Sequence, residues 1–204
     1  MTDAAFWDKI APKYAKDPIA DMKSYAATRD RIREILQPHH RVLEIGCGTG
    51  STALELADRV DRYIGTDVSP GMIAIAQAKL GDGSPAHLRF AAHDAGDIPS
   101  APHDVILALN LLHLVPNVPE VLDRVYEALP SGGLFIAKTA LLKDGAWFLK
   151  PAIVVMRAFG KAPTAVFFTG AELKTQMQDA GFEVIETLHQ PGMAPREFTV
   201  ARKP

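Results

Sequence analysis

Cysteine is almost absent from this 204-residue chain, whose one thiol is that of Cys47. A single cysteine forms no intramolecular disulfide and leaves no second thiol for a cysteine-based zinc site. The charges are close to balance, with 22 Lys and Arg against 24 Asp and Glu and a formal net charge of −2, so no strong field favours a polyanionic partner. We therefore expect a protein that folds around a hydrophobic core without a metal and does not bind nucleic acid.

Long hydrophobic runs are also missing. The most apolar stretch, 147–168, is interrupted by Lys150, Pro151 and Arg157, well short of the roughly 20 apolar residues that span a membrane. The first residues are acidic where a secretory signal peptide is basic. We predict a cytoplasmic protein with no transmembrane segment, and the apolar and basic mixture of 143–168 leaves open a weak contact with a membrane surface.

From residue 41 onward, short apolar runs alternate with longer amphipathic ones. This alternation is typical of a mostly parallel sheet with helices on both faces. The predicted strands are 41–45, 62–66, 87–91, 105–109, 134–139, 182–188 and 197–201, and the predicted helices are 51–59, 70–80, 119–129 and 171–180. No linker or repeat interrupts the pattern, so we predict a single α/β domain over 1–204.

Two segments fall outside the alternation. The segment 3–37 is predicted to form two helices separated near Asp17 and Pro18, and 143–168 a helix and loop inserted before the last unit. Because neither has a place in the sheet, we predict that both form a cap or lid over the strand ends. They contain both tryptophans of the chain, which favours a small, mostly apolar substrate beneath the cover.

The strongest local signal is an apolar strand that leads into three alternate glycines, Gly46, Gly48 and Gly50. Glycine lets the backbone turn sharply and lets a ligand approach without a Cβ in the way. Asp67 lies at the end of the next predicted strand, where an acid can accept hydrogen bonds from both hydroxyls of a ribose. Loop and acid together predict a nucleoside ligand.

The spacing of the glycines narrows the choice of ligand. A dinucleotide fingerprint G-x-G-x-x-G/A would place its last small residue at Ser51, whereas the third glycine is Gly50. No phosphate-binding G-x-x-x-x-G-K-[ST] sequence occurs in the chain. An NAD-dependent oxidoreductase is therefore disfavoured, and it stays the least supported alternative.

Residues 44–50, followed by Asp67, Val68 and Met72, resemble motif I and the acid after it in class I S-adenosylmethionine-dependent methyltransferases. The resemblance extends from about residue 42 to 139, and 6–14 resembles the N-terminal segment of the small-molecule branch that includes ubiquinone and menaquinone biosynthesis methyltransferases. It implies a Rossmann-like, seven-stranded sheet with an antiparallel last strand, S-adenosylmethionine as cofactor and methyl transfer as activity. A catalytically inactive protein that binds this cofactor and regulates is the main alternative.

The resemblance also implies how the cofactor is held. The backbone at Gly46, Cys47 and Gly48 would line its methionine and ribose parts, Glu44 would orient the loop or the amino group, and Asp67 would hold the ribose hydroxyls.

On the adenine side, Val68 and Met72 would pack against the ring, and Asp94 would accept from its amino group. The Asn110 carbonyl would take the methionine ammonium, and Tyr14 would lie near the carboxylate. The complete predicted cofactor set is Tyr14, Glu44, Gly46, Cys47, Gly48, Gly50, Asp67, Val68, Met72, Asp94, Ala95 and Asn110.

No acid and base pair stands out for catalysis. His113 follows the strand 105–109 and is the candidate general base, although packing at the start of a helix explains it equally well. Tyr25 and Arg29, four residues apart on a helical stretch, either line the acceptor pocket or form a solvated face. A sulfonium methyl group is already activated, so its transfer depends on positioning, with a base needed only if the acceptor must lose a proton.

Overall fold

The computed structural model describes residues 3–204, and Met1 and Thr2 of the predicted 1–204 domain lie outside the described residues. Its centre is a seven-stranded sheet with the order β3-β2-β1-β4-β5-β7-β6. The strands are β1 Arg41–Ile45, β2 Arg62–Asp67, β3 Leu88–Ala92, β4 Val105–Leu109, β5 Leu134–Ala140, β6 Glu183–Gln190 and β7 Arg196–Arg202. The helices are α1 Asp3–Tyr14, α2 Met22–Ile35, α3 Ser51–Leu56, α4 Pro70–Ala78, α5 Val118–Ala128, α6 Leu142–Gly145, α7 Lys150–Ala158 and α8 Gly170–Asp179, with 3-10 turns at Ala57–Arg59, Leu112–Leu114 and Trp147–Leu149.

The predicted fold class is confirmed. Strands β1 to β5 are mutually parallel where they pair, and β7 runs antiparallel to both β5 and β6. Most element bounds lie within one or two residues of the predicted ones. The largest differences are at helix ends, where the helix predicted over 51–59 tightens into a 3-10 turn after Leu56.

Alternate side chains of the sheet build two separate cores. Val42 and Leu107 point to the face covered by α2, α3 and α4, where they pack with Ile32, Leu56 and Tyr63. The neighbouring residues of the same strands point to the opposite face, covered by α5 and α8; this second core includes Leu43, Ile106, Leu122, Phe135 and Met177. Because both faces are covered, the central strand β4 is apolar along its whole length, as expected of a parallel strand.

Strand β1 pairs with β2 on one side and with β4 on the other. The chain therefore reverses its direction of travel across the sheet at this point, and the connections after β1 and β4 turn away from each other. Such a reversal opens a crevice at the carboxyl ends of the strands, which is where α/β sheets bind ligands.

The predicted cover consists of α1 and α2, and of α6 and α7 with the loop after them. Asp8 of α1 accepts hydrogen bonds from the Ser69 hydroxyl at 2.6 Å and the Gly71 amide at 2.8 Å, which joins α1 to the start of α4. Asp3 accepts from the amide and the hydroxyl of Thr164, at 3.0 and 2.6 Å. The N-terminal segment is therefore joined both to the start of α4 and to the segment 143–168. Within 3–204, no helix is both long and apolar enough to cross a membrane.

Candidate functional site

A cavity of about 770 Å³ opens at the carboxyl ends of β1, β2, β4 and β5, within the range typical of small-molecule sites. Its lining combines the glycine loop after β1, the ends of the neighbouring strands, and α1 and α2 of the cover. The predicted site residues that line it are Tyr14, Glu44, Gly46, Cys47, Gly48, Asp67, Val68, Met72, Asp94, Ala95, Asn110 and His113. Of the predicted set, Gly50 alone does not line it.

The glycine loop leaves open space on its cavity side. Gly48 has φ +55°, and a Cβ placed on it would come within 4 Å of the Tyr14 ring only, at 4.0 Å. A Cβ at Gly50, where φ is +75°, would instead meet the Phe90 ring at 2.7 Å and Ala76 at 2.9 Å. Gly48 thus forms the cradle beneath Tyr14, whereas Gly50 lets α4 and β3 pack closely behind the loop.

Asp67 is fixed at the edge of this cradle by two backbone amides. One carboxylate oxygen accepts from the Gly48 amide at 2.9 Å, and the other accepts from the Ser69 amide at 2.9 Å. Burial raises the pKa of Asp67, an effect that the two amides oppose. Each oxygen keeps a further lone pair, so the carboxylate is held in place to accept two more hydrogen bonds.

Glu44 lies at the floor of the cavity and is only 2% exposed. Its carboxylate accepts from the Tyr63 hydroxyl at 2.9 Å. Burial raises the pKa of Glu44 to about 7, and the nearby Asp67 adds to the effect. Near neutral pH, Glu44 therefore exchanges readily between a charged form that attracts a cation and a neutral form.

The Cys47 side chain is not built for nucleophilic chemistry. Its thiol is buried beneath the loop, close to Gly65, and burial raises its pKa well above the usual value, which keeps it protonated. Its backbone amide donates to the Thr66 carbonyl at 2.8 Å. The residue therefore contributes its backbone and its small volume, as its position between glycines predicts.

On the far side of the crevice, Asn110 adopts φ 58°, and among the non-glycine residues described it alone has a positive φ. Asparagine is one of the few side chains that tolerates this left-handed conformation. Its amide donates to the Lys138 carbonyl at 2.7 Å, which ties the end of β4 to β5. The turn places Asn110 and Leu111 opposite Gly46, where a Cβ would meet the Leu111 side chain at 2.7 Å.

His113 lies in the 3-10 turn that follows. Its Nδ1 is buried and has no hydrogen-bond partner among the described residues. Burial, helped by the positive charge of Arg196, lowers the pKa of His113 to about 4. The imidazole is therefore neutral at physiological pH.

Ser24, Thr28, Lys138 and Arg196 are among the polar residues of the cavity that were not in the predicted site. The signal that could have revealed Lys138 is its position as the one charged residue of strand β5. Arg196 carries no comparable signal, because a strand end is an ordinary place for arginine. Tyr25 and Arg29 also line the cavity, but the Arg29 guanidinium is paired with Glu55 at 2.8 Å and Asp30 at 2.7 Å.

Comparison with known proteins identifies the family. Residues 18–187, more than half of the chain, match the family described as "Methyltransferase domain". The chain belongs to this methyltransferase family. The predicted resemblance to class I S-adenosylmethionine-dependent methyltransferases is thereby confirmed, and S-adenosylmethionine is confirmed as the cofactor of the family to which the chain belongs.

Two relatives illustrate the spread of the family. The chain is 34% identical over 167 residues to polyketide synthase ThaG of Burkholderia thailandensis, covering 68% of this chain but only 3% of that protein. It is 29% identical over 205 residues to the ubiquinone biosynthesis O-methyltransferase of Azorhizobium caulinodans, covering 90% of this chain and 78% of the relative.

Solved structures show the same fold at lower identity. The [4+2]-cyclase SpnF superposes with a TM-score of 0.78 at 20% identity, covering 100% of this chain and 97% of that one. The N-methyltransferase NodS of Bradyrhizobium japonicum, in complex with S-adenosylhomocysteine, superposes with a TM-score of 0.75 at 17% identity over 100% of both chains.

The raised pKa of Glu44 predicts a pH-dependent cost of folding. Its pKa of about 7 in the folded protein lies above the unfolded value of roughly 4.3, so the folded state holds an extra proton between these values and stability falls as pH rises through this window. In Glu44→Gln the amide oxygen can still accept from Tyr63, but no charge is buried. We expect this variant to gain up to about 3 kcal/mol in free energy of unfolding, relative to the parent, between pH 4.5 and pH 7.5.

Urea denaturation at both pH values measures this difference. Glu127→Gln is the control, since Glu127 is an exposed residue of α5 and should shift the two measurements equally. A Glu44→Gln difference that does not change with pH would contradict the buried, elevated pKa.

Proposed function

We propose that this protein is an enzyme that transfers the methyl group of S-adenosylmethionine to a small, mostly apolar acceptor. The observation that carries the proposal is the open cradle over Gly48, with the Asp67 carboxylate fixed beside it by the Gly48 amide. A branched or larger residue at position 48 would fill the space that a nucleoside needs. The cradle and the fixed carboxylate therefore fit the cofactor of the family.

The roles proposed for the cofactor-binding residues follow from their positions. The free lone pairs of Asp67 suit the two ribose hydroxyls, and the half-buried Val68 and buried Met72 suit the apolar adenine ring. Asp94, held in a turn by the Gly96 amide at 3.1 Å, is the proposed acceptor for the adenine amino group, beside Ala95.

The methionine end of the cofactor would lie towards β4. The carbonyl of Asn110 and the ionised form of Glu44 are suited to an ammonium group, and Tyr14 covers this part of the loop. When bound, S-adenosylmethionine supplies an activated sulfonium methyl group. The chain itself positions the acceptor in line with that methyl group and excludes water, which can lower the barrier by about 7 to 11 kcal/mol.

His113 is the proposed proton acceptor for an acceptor that must lose a proton. Its imidazole lines the cavity in the neutral form. A base with a pKa of about 4 does not deprotonate a hydroxyl by itself at neutral pH. It can accept the proton only as the methyl group is transferred, because the acceptor then becomes far more acidic.

The cover is proposed to close over the acceptor as part of one domain. Trp7, Tyr14 and Tyr25 line the cavity from α1 and α2, whereas none of the residues 143–168 lines it. The N-terminal segment is therefore the direct cover, and 143–168 supports it through the contact between Asp3 and Thr164.

We also propose that the segment 143–168 makes a weak contact with a membrane surface. Trp147 is 67% exposed and Phe159 75% exposed, and no acidic residue occurs in 145–171, whereas Lys150, Arg157 and Lys161 do. Such a surface suits the interface of an anionic bilayer.

The cytoplasm stays the predicted compartment, because a lone thiol is compatible with a reducing environment.

The cofactor assignment predicts the effect of Asp67→Ala. Loss of two charge-assisted hydrogen bonds, each worth roughly 1.5 to 3 kcal/mol, should weaken S-adenosylhomocysteine binding by about a hundredfold or more in isothermal titration. Asp97→Ala is the matched control, since Asp97 is an exposed acid that does not line this cavity. Equal affinity in Asp67→Ala and the parent, with both folded, would refute the ribose assignment.

The same titration separates the alternatives. A cofactor-binding regulator would bind S-adenosylmethionine but methylate nothing in an acceptor screen. An oxidoreductase would bind NAD and not S-adenosylhomocysteine.

The cover predicts a ligand-dependent pattern of hydrogen exchange. Amides of α1 and α2 should exchange faster than those of β4 in the free protein and should slow when S-adenosylhomocysteine is added, because the cover must open to admit ligands. Residues 143–168 should respond in the same direction. Asp8→Ala should speed the exchange of α1 further, since it removes the bonds to Ser69 and Gly71, while Lys9→Ala should not. Exchange as slow as in β4, without a response to ligand, would mean that these segments are fixed core.

The membrane proposal predicts co-sedimentation of the protein with phosphatidylserine vesicles and little with phosphatidylcholine vesicles. The double variant Trp147→Ser, Phe159→Ser should lose most of this binding, because it removes two exposed aromatic side chains. Met193→Ser is the control, since Met193 is an equally exposed apolar residue outside the segment. Retention of vesicle binding by the double variant would contradict the proposal.

A further inference from the structure

Two basic side chains share one face of the sheet at the end of the cavity furthest from β2. In the antiparallel pair of β5 and β7, Lys138 lies opposite Phe198 and Ala140 lies opposite Arg196. Residues two apart on a strand point to the same face, so Lys138, Ala140 and Arg196 lie together on the face covered by α2. All three line the cavity.

Lys138 is a buried cation without an acidic hydrogen-bond partner. It is 4% exposed, and its Nζ donates to the Ser24 hydroxyl at 2.7 Å, the Thr28 hydroxyl at 2.8 Å and the Ser24 carbonyl at 3.2 Å. Three neutral acceptors use its three protons. Lys138 therefore contributes a positive charge to this end of the cavity and no free donor.

Arg196 provides the free donors. Its side chain is exposed to the cavity and forms no ion pair or hydrogen bond within residues 3–204. It lies close enough to His113 and Lys138 for its charge to lower the pKa of both. A guanidinium with unused donors, placed beside a second positive charge, suits a planar oxyanion.

Most acids of the cavity are engaged elsewhere. Asp3 is bound by Thr164, Glu44 by Tyr63 and Asp67 by two amides. Asp21, the acid whose charge acts on Lys138, accepts from the Ser24 amide at the start of α2 at 2.9 Å. None of the cavity's acids forms an ion pair with Arg196 among the described residues.

We propose that the methyl acceptor carries an oxyanion group, bound by Arg196 at the end of the cavity beside β5 and β7, with the charge of Lys138 behind it. That the bound molecule is the methyl acceptor rests on the proposed function, whereas the anion site depends only on the residues of this chain. The residues proposed for the cofactor lie at or after the ends of β1, β2, β3 and β4 or belong to α1, so Lys138 and Arg196 lie on the opposite side of Asn110 from them. The acceptor is thus an amphiphile with an apolar body beneath the aromatic cover and an anion at β7.

The test is isothermal titration of the protein, saturated with S-adenosylhomocysteine, with octanoate, octyl phosphate and octan-1-ol. We expect the parent to bind at least one of the two anions about tenfold or more tightly than the alcohol, and the preferred anion distinguishes a carboxylate from a phosphate. Arg196→Gln should lose this preference. Arg202→Gln should keep it, since Arg202 lies at the other end of β7 and pairs with Glu183 at 2.6 Å.

A second measurement tests the charge of Lys138. Octanoate stays ionised between pH 7 and pH 9.5, whereas burial lowers the pKa of Lys138 to about 8, with Arg196 lowering it further and Asp21 opposing them. The affinity of the parent for octanoate should therefore fall severalfold across this range. A constant affinity for octanoate would show that the charge of Lys138 does not contribute to anion binding.

Three outcomes would overturn the anion site. The first is a parent that binds neither anion better than the alcohol, and the second is an unchanged preference in Arg196→Gln. The third is a loss of S-adenosylhomocysteine affinity in Arg196→Gln as large as in Asp67→Ala, because the arginine would then bind the cofactor carboxylate. A parent that fails to bind S-adenosylhomocysteine would instead contradict the proposed function. The anion titrations could then be made in the absence of S-adenosylhomocysteine, and they would still test whether Arg196 binds an anion.

Discussion

The reversal of strand order between β1 and β4 is the constraint on which the site depends. Helix α3 packs on one face of the sheet after β1, and α5 packs on the other after β4. The two connections must separate, and the crevice between them is the place where a ligand meets backbone rather than packed side chains. The glycine loop forms one wall, and the left-handed turn at Asn110 forms the other. A single topological feature thus fixes where both halves of the site can lie.

The charges at the strand ends do not serve stability. Glu44 and Lys138 are both buried on the face covered by α2, and burial shifts the pKa of each towards its neutral form. Well-packed apolar residues in place of buried charges are often as stable or more so. Each charge instead borders the cavity, Glu44 at the loop and Lys138 beneath α2. Their cost in stability is explained if they attract groups of opposite charge on ligands.

Most of the sheet, and the cavity residues beside the glycine loop, could be predicted from the sequence because their signals are local. A strand is signalled by a short run of mostly apolar residues. The loop is signalled by three alternate glycines, all of which have a positive φ in the structure. Lys138 and Arg196 meet only through the antiparallel pairing of β5 with β7, across 58 positions of the sequence. No local pattern encodes such a meeting, and the same holds for the contact between Asp3 and Thr164. Gly50 was predicted as a cofactor residue because it belongs to the glycine motif. In the structure it does not line the cavity, and its lack of a side chain lets Phe90 pack against the loop.

The two ends of the cavity therefore differ in what they can reveal about function. The end proposed for the cofactor consists largely of backbone and of one fixed carboxylate, and solved structures with the same fold include an N-methyltransferase and a protein described as a [4+2]-cyclase. The fold alone cannot fix the reaction. The other end is built from side chains of α2, the turn after β4, β5 and β7, which are free to differ between proteins that share the loop. On the proposed function, the acceptor is recognised at this end, by the apolar cover, the neutral His113 and the charge of Arg196.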